Sequence, residues 1–157
     1  MIIIISLQPI LPSDNDFLLK VFKECRTDLA FISGMNEEQK SNIIRQQFVI
    51  EQYQLKQTYP EAELNLVMFN GQPVGRLYIN YGKNEDRIIA IGLLESYRFL
   101  GIGKKIMISV IETAAEKGKA VSLQVAWFNK SAYAFYEKLG FKVVEDNGVM
   151  YEMKYTP

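Results

Sequence analysis

No histidine occurs anywhere in this 157-residue chain. Its absence removes Ser-His-Asp and Cys-His nucleophilic sites and every metal site that needs imidazole, and no other side chain titrates near neutrality unless its surroundings shift it. No metal site is expected. Cysteine is nearly absent as well. Cys25 stands alone, and its apolar helical setting in FLLKVFKEC predicts a buried, inert thiol. An excess of one charge is also missing: Lys+Arg and Asp+Glu each number 18. A net charge of zero gathers no polyanion, so neither nucleic acid nor an anionic membrane is an expected partner. No segment approaches the ~20 apolar residues of a membrane span, and the opening IIII is too short, and lacks the basic flank, for a signal peptide. A soluble, cytosolic protein is expected, folded as one domain over residues 1–157 without the help of disulfides or metal.

What is present reads as alternating elements. IIIISLQPI predicts a buried strand, and PSD then starts a helix over about residues 14–27 with Phe17, Leu18, Val21, Phe22 and Cys25 at helical spacing. Asn36 with Gln39 three residues on resembles a capping box for a long polar helix that stops at Tyr59-Pro60. LNLVMF and VGRLYINY flank an NGQP turn as a hairpin, and RIIAIGLL is a further strand. A helix follows with Ile102, Ile106, Val110 and Ala114 as its apolar stripe and Gly118 as its stop, then the strand AVSLQVAW. Asn129 opens the helix NKSAYAFYEKLG, and FKVVE and VMYEMKY close the chain as a hairpin around DNG. The predicted order is βααβββαβαββ, an α/β (α+β) fold around a mixed sheet with one strand-helix-strand crossover. Exposed sheet edges leave a homodimer open.

Two glycines one residue apart, in YRFLGIGKK over residues 97–105, require a backbone that comes close to something. A Walker loop would put glycine where Arg98 stands and a hydroxyl where Lys105 stands; a Rossmann fingerprint would put glycine at Ile106. Both patterns fail. A strand, Arg98-x-x-Gly101-x-Gly103 and a helix start remain, which bring several N–H groups and a positive helix end to one point, the requirements of an anion site. A turn that needs glycine only for packing is the alternative. Farther on, Asn129 and Tyr136 lie two helical turns apart on one face with Ala132 between them. The same helix also carries a core stripe of Ala132, Phe135, Tyr136 and Leu139, and Asn129 serves equally as an N-cap.

Taken together, GLLESYRFLGIGKKIM and NKSAYAFYEKLGF resemble the GNAT superfamily of N-acetyltransferases. Its acetyl-CoA loop reads [RQ]-x-x-G-x-[GA], and its later segment reads N-x-x-A-x-x-x-Y-x-x-x-G-F. The matching residues here are Arg98, Gly101 and Gly103, then Asn129, Ala132, Tyr136, Gly140 and Phe141. The resemblance implies a sheet splayed between its fourth and fifth strands with helices on both faces. It implies acetyl-CoA as co-substrate, its pantetheine arm paired with the backbone of Leu93 and Glu95, and its diphosphate held by the loop of Phe99, Leu100, Gly101, Ile102, Gly103 and Lys104, with Arg98 nearby. Leu93 N–H would polarise the thioester oxygen, and Tyr136 would give a proton to the departing thiolate.

The acceptor amine, on a small molecule or a peptide N-terminus, would attack directly in a ternary complex. The acidic residue that related sequences carry in the strand before the loop is absent, for Ala90 and Gly92 stand there, and Glu95 replaces a common proline. Glu95, Glu85 and Asp86 are the remaining candidate bases. At pH 7 an amine of pKa ~10.4 is neutral in ~0.04% of molecules and one of pKa ~7.8 in ~14%, about a 300-fold difference, so a site without a strong base favours an α-amine over a lysine side chain. The first two helices would roof the acceptor, where Gln46, Gln47, Glu51, Gln52, Tyr53 and Gln57 offer polar contacts, and Tyr78 and Tyr81 are further lining candidates. The missing strand acid also leaves open a catalytically weak acetyl-CoA-binding or sensing module, or a structural domain with an empty loop.

Overall fold

Local chemistry sets the helix boundaries. Asn36 and Gln39 bond reciprocally, side chain to backbone at 2.8 and 3.2 Å, and this capping box opens the helix Glu37–Thr58. Gly118, in the left-handed region at φ +68°, ends the helix Ile102–Glu116. A computed structural model describes residues 4–26 and 34–157. In it the chain runs β1 (Ile5–Pro9), α1 (Asn15–Cys25), α2 (Glu37–Thr58), β2 (Glu63–Phe69), β3 (Gln72–Tyr81), β4 (Glu85–Leu93), α3 (Ile102–Glu116), β5 (Ala120–Ala126), α4 (Lys130–Leu139), β6 (Lys142–Asp146) and β7 (Met150–Tyr155). This is the order expected from the sequence. The start of the predicted first strand and the last residue of the predicted first helix lie outside the described residues.

The seven strands form one sheet in the order β1-β2-β3-β4-β5-β7-β6. All neighbours are antiparallel except β4 and β5. Side chains alternate across β3, so both faces are covered. Tyr78 joins Leu18, Phe22, Ile44, Phe48 and Leu55 from α1 and α2. Leu77 and Ile79 join Ile102, Ile106 and Met107 of α3 and Tyr136 of α4. β1 corrects an expectation: apart from Ile5 its residues are exposed, because it is the outer strand and only one end of it reaches the core. The stripe on α3 shifts slightly too, with Met107 fully buried and Val110 only partly. Among the described residues no helix is long and apolar enough to cross a membrane.

Candidate active site

The parallel pair at the centre of the sheet is incomplete. β4 and β5 pair only at Glu85–Ala120, Asp86–Val121 and Arg87–Ser122, and beyond Arg87 the strands part. The register between β3 and β4 also shifts by one residue, from Tyr78–Ala90 to Ile79–Ile88, a bulge that bends and twists β4 at the point where it leaves β5. Ion pairs fasten the closed end of the resulting wedge. Lys119 Nζ lies 2.6 Å from Asp86 and donates to Gly82 O at 3.2 Å, Arg87 pairs with Glu152, and Lys154 lies 3.2 Å from Glu85.

The glycine loop stands at the open end. Gly101 is the N-cap of α3 at φ +83°, a conformation that only glycine adopts freely. The first bond inside the helix runs from Lys105 N–H to Gly101 O. Within the described chain no side chain caps the helix, so the N–H groups of residues 102–104 point forward without partners. A Cβ at Gly101 would meet nothing within 4 Å, and one at Gly103 would only reach Phe135 at 3.8 Å and Leu93 at 4.0 Å. Packing against protein therefore does not demand these glycines. They keep open a cradle in front of unpaired donors, and the bare helix start suits a diphosphate. Phe99, at φ +63°, carries a fully exposed ring on the loop, beside exposed Leu100 and Lys104.

The end of β4 forms one wall. Leu94 donates its N–H to Val74 O on β3 at 2.8 Å, so strand alternation turns the N–H of Leu93 toward the edge that β5 has left. Arg98 bends back to this wall. Its Nε donates to Leu93 O at 3.2 Å and its Nη2 to Glu24 O at 2.7 Å, tying the last turn of α1 to the end of β4. Glu95 N–H is likewise taken by Glu24 Oε1 at 2.7 Å, while the Glu95 side chain is exposed. The expected hydrogen bonding of a ligand to Glu95 N–H would require Glu24 to yield. Cys25 is half-buried rather than buried: its Sγ lies 3.6 Å from Leu93 O and 3.5 Å from Arg98 Nη2. This packing also accounts for the missing strand acid, since a Cβ at Gly92 would come within 2.8 Å of Cys25 Sγ and 3.5 Å of Val21.

The opposite wall is α4. Asn129 is its N-cap and accepts from Ala132 N–H at 3.2 Å, so the side chain is committed to its helix. Tyr136 is nine-tenths buried, at 9% exposure, and its hydroxyl bonds to no described residue. Among the described residues no buried side-chain polar atom lacks a partner, so this hydroxyl keeps an opening to the surface. Burial, and secondarily the Cys25 sulfur, push the phenol up to about 12. Cys25 belongs to a helix on one face of the sheet and Tyr136 to a helix on the other.

Other expected residues fall elsewhere. Tyr78 is buried under α1 and α2 with Arg76 over its ring at 4.9 Å, and Tyr81 pairs with Asp86 at the closed end of the wedge; neither lines the open end. On α2, Gln46, Gln47, Tyr53 and Gln57 face solvent. Gln52 bonds Asn15 at 3.2 Å, and Glu51 holds buried Arg76 through both carboxylate oxygens at 2.5 and 3.2 Å. Glu85 and Asp86 are ion-paired. Sequence reasoning missed Glu24, although an acid in the last turn of a helix opposes the helix dipole and so signals a specific partner. It also missed Trp127 and Phe128, 53% and 42% exposed just beyond the end of β5. Their loop is tied to the β6–β7 turn by Trp127 N–H to Val149 O at 3.0 Å. Among the described residues no three acidic or thiol side chains are grouped to hold a metal ion.

This geometry has known counterparts. Over 86 residues the chain is 35% identical to the N-alpha-acetyltransferase 50 of Danio rerio, a match that covers 51% of each protein, so the chain spans about half the length of that curated relative. The PaiA N-acetyltransferase of Thermoplasma acidophilum, solved in complex with coenzyme A, has the same fold at a TM-score of 0.71 and 19% identity, with 98% of this chain and 99% of that one covered. Arabidopsis thaliana Naa50, solved with the bisubstrate analogue CoA-Ac-MVNAL, superposes at a TM-score of 0.61 and 19% identity, with the same two coverages. Residues 28–141 match the acetyltransferase (GNAT) family along most of the wedge and both of its walls, and the chain belongs to that family.

Proposed function

We propose that this protein transfers the acetyl group of acetyl-CoA to a primary amine, and that the amine is the α-amino group of a peptide. The observation that carries the reading is the bare start of α3, whose unpartnered N–H groups open onto the unpaired halves of β4 and β5. The N–H groups of residues 102–104 receive the diphosphate. Leu93 N–H, on the free edge of β4, receives the thioester oxygen and stabilises the charge that develops there. A phenol of pKa about 12 lies well above a thiol of pKa ~8.5, so complete proton transfer from Tyr136 to a thiolate is uphill. Tyr136 acts by donating a strong hydrogen bond to the leaving sulfur. Arg98 acts indirectly, because its guanidinium holds Leu93 O and α1 in place.

A peptide acceptor is supported by the relative's name, by the peptide analogue in the Arabidopsis neighbour, and by the apolar rim of Trp127, Phe128 and Val149 at the open end of the wedge. That rim suits an apolar first side chain. With no histidine in the chain, the lower pKa of an α-amine also supplies far more neutral nucleophile than a lysine does. The test is thiol release from acetyl-CoA with the pentapeptide Met-Val-Asn-Ala-Leu, the same peptide acetylated at its N-terminus but carrying a lysine, and a set of small amines. Faster turnover on the free α-amine is the expected result. CoA binding without thiol release on any of them would leave the weak binding module, which the glycine at position 92 favours, as the better reading.

A further inference from the structure

The reaction requires a proton acceptor, and neither a histidine nor a strand carboxylate is there to serve. An ammonium cannot attack; it must first lose a proton. Tyr136 lies on a helix of the α3 and α4 face, so an acceptor that approaches the thioester across from it arrives from the side of α1 and α2. The acids packed against the sheet are engaged elsewhere: Glu51 by Arg76, Glu85 by Lys154, Asp86 by Lys119 and Glu152 by Arg87. Glu24 differs from all of these. Among the described residues it is paired with no cation, and its Oε1 is fixed at 2.7 Å on Glu95 N–H, two residues past Leu93. Arg98 anchors its backbone carbonyl to the same wall at 2.7 Å. Its second oxygen has no partner among the described residues.

We propose that Glu24 is the carboxylate that takes the proton of the acceptor ammonium. The proposal rests on the acetyltransferase reading above and adds the residue that reading lacks. Glu24 Oε2 removes one N–H proton, directly or through one water, and the freed lone pair forms the N–C bond. The C–S bond breaks with its electron pair on sulfur. The second N–H proton passes to that sulfur to give the free thiol, and Glu24 returns its own proton to solvent. In this reading Glu95 N–H stays with Glu24 and the pantetheine arm pairs with β4 at Leu93 instead, so that bond and the clamp of Arg98 hold the carboxylate in position without occupying its basic oxygen. The glycine at 92 is then compatible with catalysis, for the base has moved from the strand to the helix end packed over it.

Glu24→Gln keeps an oxygen for Glu95 N–H and removes only the proton acceptor. With Met-Val-Asn-Ala-Leu as acceptor, kcat/KM of Glu24→Gln should fall on the order of 100-fold at pH 7. The deficit should shrink as pH rises past the pKa of the peptide amine, where the nucleophile is already neutral. CoA affinity, read by calorimetry, should stay unchanged. Turnover equal to the natural protein's at every pH overturns the proposal, and so does a loss that is the same at every pH, which would make Glu24 a clamp and nothing more. A natural protein that fails to bind CoA overturns the acetyltransferase reading and this proposal with it. Calorimetry distinguishes that failure from the others.

Discussion

A phenol buried as deeply as that of Tyr136 keeps its proton above the ordinary range, and this has one consequence for turnover and another for stability. The first is set by a charge-assisted hydrogen bond worth ~1.5–3 kcal/mol, so Tyr136→Phe should lower kcat by about 10- to 100-fold while CoA affinity holds. The second follows from linkage. The folded pKa of about 12 exceeds the unfolded value of ~10, so the buried phenol's contribution is intact below pH ~10 and is lost as pH rises from ~10 through ~12. Raising a pKa from ~10 to ~12 corresponds to about 2.7 kcal/mol. Urea denaturation of the natural protein and Tyr136→Phe, compared at pH ~9 and ~12, should show the natural protein losing more stability by an amount of that order. Equal losses would mean that the hydroxyl is not held in an apolar setting. The burial of this residue was legible in the sequence because its pattern is local, Ala132, Phe135, Tyr136 and Leu139 forming one stripe that packs on the core. The role of Arg98 was not. Its partners Glu24 and Cys25 are 74 and 73 residues away, and no periodicity reports a contact between a helix end and a distant strand end.

Among the elements, those defined by local chemistry were readable and those defined by their neighbours were not. The capping box at Asn36 and the glycine stop at Gly118 fixed helix ends to within a residue or two. The predicted first strand, IIIISLQPI, looked like a core strand because isoleucines dominate it, yet β1 as described runs only from Ile5 to Pro9 and lies at the sheet margin, which composition cannot report and which leaves it exposed. The wedge between β4 and β5 belongs to the same class. Neither RIIAIGLL nor AVSLQVAW says that pairing stops after three residue pairs; the resemblance supplied that expectation, and the ion pairs at the closed end were unforeseen. Asp86 is 2% and Lys119 11% exposed at the side chain, 2.6 Å apart. Removing one member of such a pair strands the other charge in a buried place. Lys119→Met should therefore destabilise the protein by about 3–5 kcal/mol, and adding Asp86→Leu to it should recover part of the loss. Chemical denaturation of both variants measures this. A single variant as stable as the natural protein would show that water reaches Asp86.

For the molecule as a whole, the same opening that admits a ligand divides the sheet. β1 to β4 and β5 to β7 are joined by three residue pairs, the ion pairs beside them, and α3, which packs on both β4 and β5. A ligand seated in the wedge adds the pairing that the strands lack and touches both halves at once, so its binding energy becomes stability of the entire sheet. At 100 times its Kd, CoA should contribute ~2.7 kcal/mol, which for a domain of this size raises Tm by about 5–11 °C. Magnitude alone does not identify the site, because any ligand at that saturation gives the same shift. Location does. CoA should slow amide hydrogen exchange in residues 91–104 and also in residues 129–136, the two walls. Adenosine 3′,5′-bisphosphate, which can engage the start of α3 but has no pantetheine arm to lie along β4, should protect residues 101–105 and leave α4 exchanging as in the free protein. Protection of both walls by the short ligand would mean that the halves close on each other without a bridge. Protection of neither wall by CoA would place its binding outside the wedge altogether.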